Sequence, residues 1–147
     1  MTITLQNITR DNWRACIKLT TTEAQTHFVA SNVASIAQAY VEPSFVPLAI
    51  YNDDTMVGFA MIGRDDETGV DWIIRFMIDQ TMQGKGYGRA AMQVLLARIR
   101  QQPDCREVRL SYEPDNIVAE RLYESLGFRP TGEIEHGEVV ARLAIEQ

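Results

Sequence analysis

The sequence predicts an α+β fold, with a mixed, mostly antiparallel sheet flanked by helices. Three observations carry this expectation. The first half repeats short apolar runs separated by turn residues, the pattern of antiparallel strands. The run 72–78 is nearly continuously apolar, as in a strand buried on both faces. Two helical patterns then enclose a strand at 108–112, and a final hairpin closes the chain.

In order, Ile3, Leu5 and Ile8 predict a first strand. Asp11-Asn12 can open a helix whose buried face is Trp13, Cys16 and Ile17. After an irregular polar stretch, Ser31 or Asn32 caps a second helix, with Val33, Ile36, Ala37 and Tyr40 on one side. Pro43 and Pro47 end it and force an extended connection. Phe45, Leu48 and Ile50 run as a strand into the turn Asn52-Asp53-Asp54, the chain returns over 56–62, and it turns again at 65–69. Val70 opens the central strand, which ends at Ile78. Ala91, Val94, Leu95 and Ile99 mark the core face of a helix over 89–100, closed by Pro103-Asp104. After the strand at 108–112, Asn116 caps a helix that Gly127 stops. Strands at 128–134 and 139–145 flank a His136-Gly137 turn.

A chain of 147 residues with 46% apolar and 23% charged content is one domain, 1–147, with a core of its own. No apolar run approaches the ~20 residues of a membrane span, and the first residues lack a signal peptide's basic and apolar regions. The expected location is therefore cytoplasmic. Cys16 and Cys105 belong to no metal-ligand cluster and read as buried, reduced thiols; no metal is expected. Asn7-Ile8-Thr9 matches a glycosylation sequon by chance.

Charge is unevenly spread around a net −6. Residues 21–72 carry eight acids and one base, and residues 73–109 carry seven bases and three acids. One cationic and one polyphosphate ligand would suit such halves. Asp53, Asp54 and 65–67 read as solvated turn residues, whereas Glu23, Glu42 and Asp71 stand beside apolar neighbours. The acidity argues against a nucleic-acid partner.

The most informative stretch is Gln83-Gly84-Lys85-Gly86-Tyr87-Gly88, between the central strand and a helix. Alternating glycines at a helix N-terminus present backbone N–H groups to an anion, and the helix dipole adds to the attraction. A P-loop would require Ser or Thr after Gly-Lys, but Gly86 follows Lys85. A dinucleotide fingerprint belongs to an early βαβ unit, yet about 70 residues with several strands precede this loop.

Gln83, Gly86 and Gly88 resemble the acetyl-CoA loop of the GNAT acetyltransferase superfamily. Asn116, Ala119, Leu122, Tyr123 and Gly127-Phe128 resemble its second block, at the expected separation. The likeness spans roughly residues 1–145, and within the superfamily 32–51 and 72–88 look most like bacterial spermine/spermidine (diamine) acetyltransferases. The resemblance implies a sheet whose central strand and the next one splay apart at a bulge to admit the cofactor's pantetheine arm.

It also implies roles. Backbone groups of Phe76, Met77 and Ile78 would pair with pantetheine and polarise the acetyl carbonyl. Gln83, Gly84, Lys85, Gly86, Tyr87, Gly88 and Arg89 would hold the pyrophosphate, and Asn116 the pantetheine arm. Tyr123, two helical turns beyond Asn116, would be the general acid on sulfur. An alkyl amine with a pKa of ~10 must lose a proton before it attacks. Several family members carry a glutamate for this at the position of Ile74. Here Glu113 is the first candidate base, ahead of Glu23, Glu42 and Asp71, while His27 and His136 read as incidental. A polyamine needs carboxylates and apolar or aromatic walls, for which Glu23, Tyr40, Glu42, Tyr51, Trp72 and Glu113 are candidates. The rival acceptors are an aminoglycoside, an amino acid or a protein N-terminus, and the rival class is a non-catalytic CoA-binding sensor. Relatives often dimerise, which leaves a homodimer open.

Overall fold

The computed structural model describes residues 1–26, 28 and 30–146; His27 lies outside the described residues. The chain forms β1 (Ile3–Asn7), α1 (Trp13–Lys18), α2 (Asn32–Val41), β2 (Phe45–Asn52), β3 (Thr55–Arg64) and β4 (Asp71–Ile78). A short 3-10 turn follows at Gln80–Met82, then α3 (Tyr87–Arg100), β5 (Glu107–Tyr112), α4 (Ile117–Ser125), β6 (Arg129–Glu135) and β7 (Glu138–Ala144). The seven strands make one sheet in the order β1-β2-β3-β4-β5-β7-β6. Every neighbouring pair is antiparallel except β4 and β5. The expected α+β architecture is thus present. No helix among the described residues is long and apolar enough to cross a membrane.

Side chains of opposite faces build two cores. Ile62, Ile73 and Ile78 join the α3 residues Ala91, Met92, Leu95 and Ile99, together with Tyr123 and Phe128. On the other face, Phe59, Met61 and Met77 pack with Cys16 of α1, and Ile36 and Ala39 of α2 lie against them. Cys16 and Cys105 are buried thiols that form no disulfide, and both are pushed up to about 11, Cys16 by burial and Cys105 by burial and then the Asp71 carboxylate.

Three local expectations are corrected. Trp13 is 40% exposed, with the Arg14 guanidinium 5.2 Å from its ring, and only Cys16 of that helix is buried. The inner side of α2 carries Asn32, Ser35, Ile36 and Ala39, whereas Val33, Ala37 and Tyr40 face outward. Its two buried polar residues are hydrogen-bonded: Asn32 Nδ2 donates to the Cys16 carbonyl at 2.9 Å and Ser35 Oγ to the Ser31 carbonyl at 3.0 Å. Pro47 lies inside β2 rather than before it, one residue short of where β1 pairing begins at Leu48. Proline is tolerated where one side of a strand is open.

The β4–β5 junction positions the site. In β4, Ile73 pairs with Ile62 and Arg75 with Met61, which leaves Ile74 without a partner on β3. Such a bulge bends the strand and increases its twist. Only Asp71 and Trp72 of β4 pair with β5, opposite Val108 and Arg109, while β5 stays on β7 through Tyr112. Beyond Trp72 the two parallel strands therefore separate, as the bulge-and-splay expectation requires.

Candidate active site

A cleft of about 440 Å³ opens where β4 and β5 part. Phe76, Met77 and Ile78 form one wall, along the β4 edge that β5 has left. Backbone groups on that edge lack a strand partner, so an extended ligand can pair there as a further strand would.

The glycine loop closes one end. Gly84 and Gly86 hold φ of 77° and 84°, a left-handed conformation that L side chains rarely adopt. Gly86 is the N-cap of α3 and brings no side chain to cap its first turn. Helix geometry leaves the first N–H groups without helical partners, so the loop is an open anion cradle. Lys85 and Arg89 are exposed beside it, and Arg89 donates to Ser125 Oγ at 2.6 Å. The Tyr87 hydroxyl accepts from Asn52 Nδ2 at 3.1 Å. Gln83 turns inward, donating to the Ile78 carbonyl at 3.0 Å and to Gln25 Oε1 at 2.9 Å. Its contacts therefore anchor the loop to β4 and to the α1–α2 segment.

Asn116 caps α4, accepting from the Ala119 N–H at 3.3 Å, and lines the cleft. Tyr123 lies two turns along the same helix and is only 9% exposed. Its ring centroid is 5.8 Å from Tyr112 and 6.0 Å from Phe128. Burial, then the Glu138 carboxylate and Tyr112, push the Tyr123 phenol up to about 12.

Asp79 braces the site from below. Its carboxylate accepts from the backbone of Thr20 at 2.8 Å and of Thr81 at 3.2 Å, and from the Thr81 hydroxyl. Burial raises its pKa, but these bonds, with one from Gln80, outweigh it and hold the carboxyl below its ordinary value.

The carboxylates expected to serve as base or substrate ligands lie elsewhere. Asp71 is in a two-pronged ion pair with Arg64, at 3.1 and 2.8 Å, on the closed side of the splay. Glu113 offers its backbone carbonyl to the Asn116 N–H at 2.9 Å and is not a cleft residue. Glu23 sits in an exposed turn, Glu42 at the exposed C-terminus of α2, and Tyr40 is 90% exposed on that helix. Tyr51 lies between β1 and β3, and Trp72 precedes the splay, so neither lines the cleft.

The cleft holds charged groups that sequence reasoning passed over. Arg75 donates to the Ile74 carbonyl at 2.8 Å and to Gln38 Oε1 of α2 at 3.1 Å, while its buried Nε has no hydrogen-bond partner. Burial lowers the Arg75 pKa, and the Glu138 carboxylate opposes that. Glu138, at the start of β7, accepts from Ser111 Oγ at 2.8 Å and is the one carboxylate among the described residues lining the cleft. The alternation of β5 puts Ser111 on the opposite face from Tyr112, a signal the sequence did contain. Placing Glu138 needs the β5–β7 register, which it did not.

Comparison with known proteins agrees with this geometry. The model of the acetyltransferase (GNAT) family matches residues 5–128. A spermine/spermidine N(1)-acetyltransferase of Bacillus subtilis (strain 168) is 32% identical, over 95% of this chain and 97% of that protein. A probable spermine N(1)-acetyltransferase of B. subtilis subsp. natto (strain BEST195) matches at the same identity and coverage. Among solved structures, Vibrio cholerae spermidine N-acetyltransferase with CoA and spermine superposes at a TM-score of 0.75, 16% identity, over 97% of this chain and 94% of that one. An aminoglycoside acetyltransferase with coenzyme A does so at 0.81 and 17%, over 97% and 95%. The splayed sheet, the glycine loop at α3 and the family match over most of the chain lead to one conclusion: this protein belongs to the GNAT acetyltransferase family.

Proposed function

We propose that the chain transfers an acetyl group from acetyl-CoA to a primary amine of a polyamine such as spermidine or spermine, by direct attack within a ternary complex. The observation that carries this reading is one cleft lined by Tyr123, by the β4 edge that β5 leaves unpaired and by the glycine cradle at α3. The polyamine class rests on the 32% identity, over nearly the whole chain, to proteins named for spermine and spermidine.

The residues present fit the cofactor. Gly84 and Gly86 have no side chains to obstruct a pyrophosphate, and the first turn of α3 offers it N–H donors. The Asn116 carboxamide oxygen is used as a cap, which leaves its NH2 group to donate toward a pantetheine amide. Acetyl-CoA, when bound, supplies the activated thioester. The backbone of 76–78 would orient the acetyl carbonyl and stabilise charge on its oxygen. The buried Tyr123 phenol keeps its proton across the physiological range and donates to the departing sulfur. Reprotonation of the phenolate then returns the site to its starting state.

A second reading rests on Arg75. A guanidinium in the cleft wall favours an amine that also carries a carboxylate, such as an amino acid. Mass spectrometry of reactions containing acetyl-CoA with spermidine, spermine or an amino acid separates the two. Monoacetylated polyamine is the expected product, and acetylated amino acid alone would replace the first reading with the second.

A further inference from the structure

We propose that Glu138, oriented by Ser111 on the acceptor side of the cleft, takes the proton from the attacking nitrogen; this rests on the N-acetyltransferase reading above. Paired residues of an antiparallel ladder share a face. Ser111 pairs with Val140 and Tyr112 with Val139, so Ser111 and Glu138, two residues before Val140, lie on one face and Tyr112 on the other. Tyr112 packs on Tyr123 of α4, the side on which α3 presents the glycine cradle. Arg75 pairs with Met61 and bonds Gln38, which marks the Ser111–Glu138 face as that of α1 and α2. A cofactor anchored at α3 leaves this second face for the amine, so acid and base approach the splay from opposite sides.

Glu138 is held for such a task. Ser111 Oγ donates to Oε1 at 2.8 Å, which fixes the carboxylate and leaves Oε2 as acceptor. The charged and titratable groups near it include Arg75 of β4, Tyr123 of α4, Glu135, its register partner on β6, and His136 in the turn that precedes it. Glu138 lines the same cleft as Arg75 of β4 and Tyr123 of α4, the two walls between which the reacting atoms would lie.

The step balances as follows. The ammonium loses one proton to solvent, and the nitrogen lone pair forms the C–N bond. Bond formation makes the remaining N–H acidic, and Glu138 accepts that proton. The C–S bond breaks, sulfur takes the Tyr123 proton, Glu138 gives its proton to solvent, and the phenolate takes one back from solvent. Amide and free thiol remain, with one proton released.

The test is steady-state kinetics of Glu138→Gln, which keeps an acceptor for Ser111 but cannot take a proton. We expect kcat with spermidine to fall about 100-fold or more, with acetyl-CoA KM within about threefold of the parent and partial recovery in Glu138→Asp. Parent-like kcat in Glu138→Gln would overturn the assignment while leaving the acetyltransferase reading intact. Absence of turnover by the unaltered protein with any amine would overturn both. If Glu138→Gln fails to fold, Ser111→Ala decides: a several-fold drop in kcat supports the assignment, and unchanged kcat contradicts it.

Discussion

Gln83 Nε2 donates to the Ile78 carbonyl at 3.0 Å, joining the loop that would hold the pyrophosphate to the end of the strand that would hold pantetheine. The same amide donates to Gln25, so one side chain sets the relative position of three segments of the cleft. Replacing it with Ala removes both bonds, each worth about 0.5–1.5 kcal/mol net. Gln83→Ala is expected to weaken acetyl-CoA binding several-fold, measured by titration calorimetry, with a smaller loss of unfolding free energy.

The loop glycines should separate by conformation. Gly86→Ala forces a β-carbon into a left-handed φ of 84° and is expected to cost about 1–2 kcal/mol in denaturant unfolding. Gly88 has no such constraint, and a β-carbon there would sit 3.9 Å from Ile78 and Leu122, an ordinary contact. Gly88→Ala should therefore fold normally yet raise the acetyl-CoA Kd, because its methyl group stands where the ligand would approach.

Tyr123→Phe keeps the ring contacts to Tyr112 and Phe128 and removes only the hydroxyl. Stability should change by less than about 1 kcal/mol, while kcat falls about 100-fold or more. Because the phenol is pushed up to about 12, no loss of rate from its ionisation is expected below about pH 10.

Asp79 gives a pH signature. Its folded-state value is depressed, so the stability it confers is fully present above the unfolded value of about 4 and disappears as pH falls through the folded value. Asp79→Asn is expected to cost about 1.5–3 kcal/mol at pH 7, from loss of charge-assisted bonds. The gap between the two proteins in urea unfolding should narrow toward pH 3.

Much of this was legible in the sequence because local chemistry dictated it. Alternating glycines after an apolar strand, Asn116 before a helix and Tyr123 two turns later depend on short spacings, and each occupies the cleft. What the sequence could not decide was set by distant packing. Helix α2 carries no charged residue, so its periodicity did not choose between the Ile36–Ala39 side and the Val33–Tyr40 side; hydrogen bonds of Asn32 and Ser35 chose. That choice turned Tyr40 away from the site. Trp72 and Ile73 are adjacent in sequence, yet only the second lines the cleft, because pairing with β5 ends between them. Glu138 entered the site only because β7 inserts between β5 and β6.

The most direct measurement is free-CoA release from acetyl-CoA with spermine, spermidine, putrescine, an aminoglycoside, an amino acid and a Lys peptide in parallel. Saturable turnover with spermidine or spermine, lost in Tyr123→Phe, is the predicted result. Tight acetyl-CoA binding without CoA release for any amine would contradict the account and leave a cofactor-binding domain without catalysis.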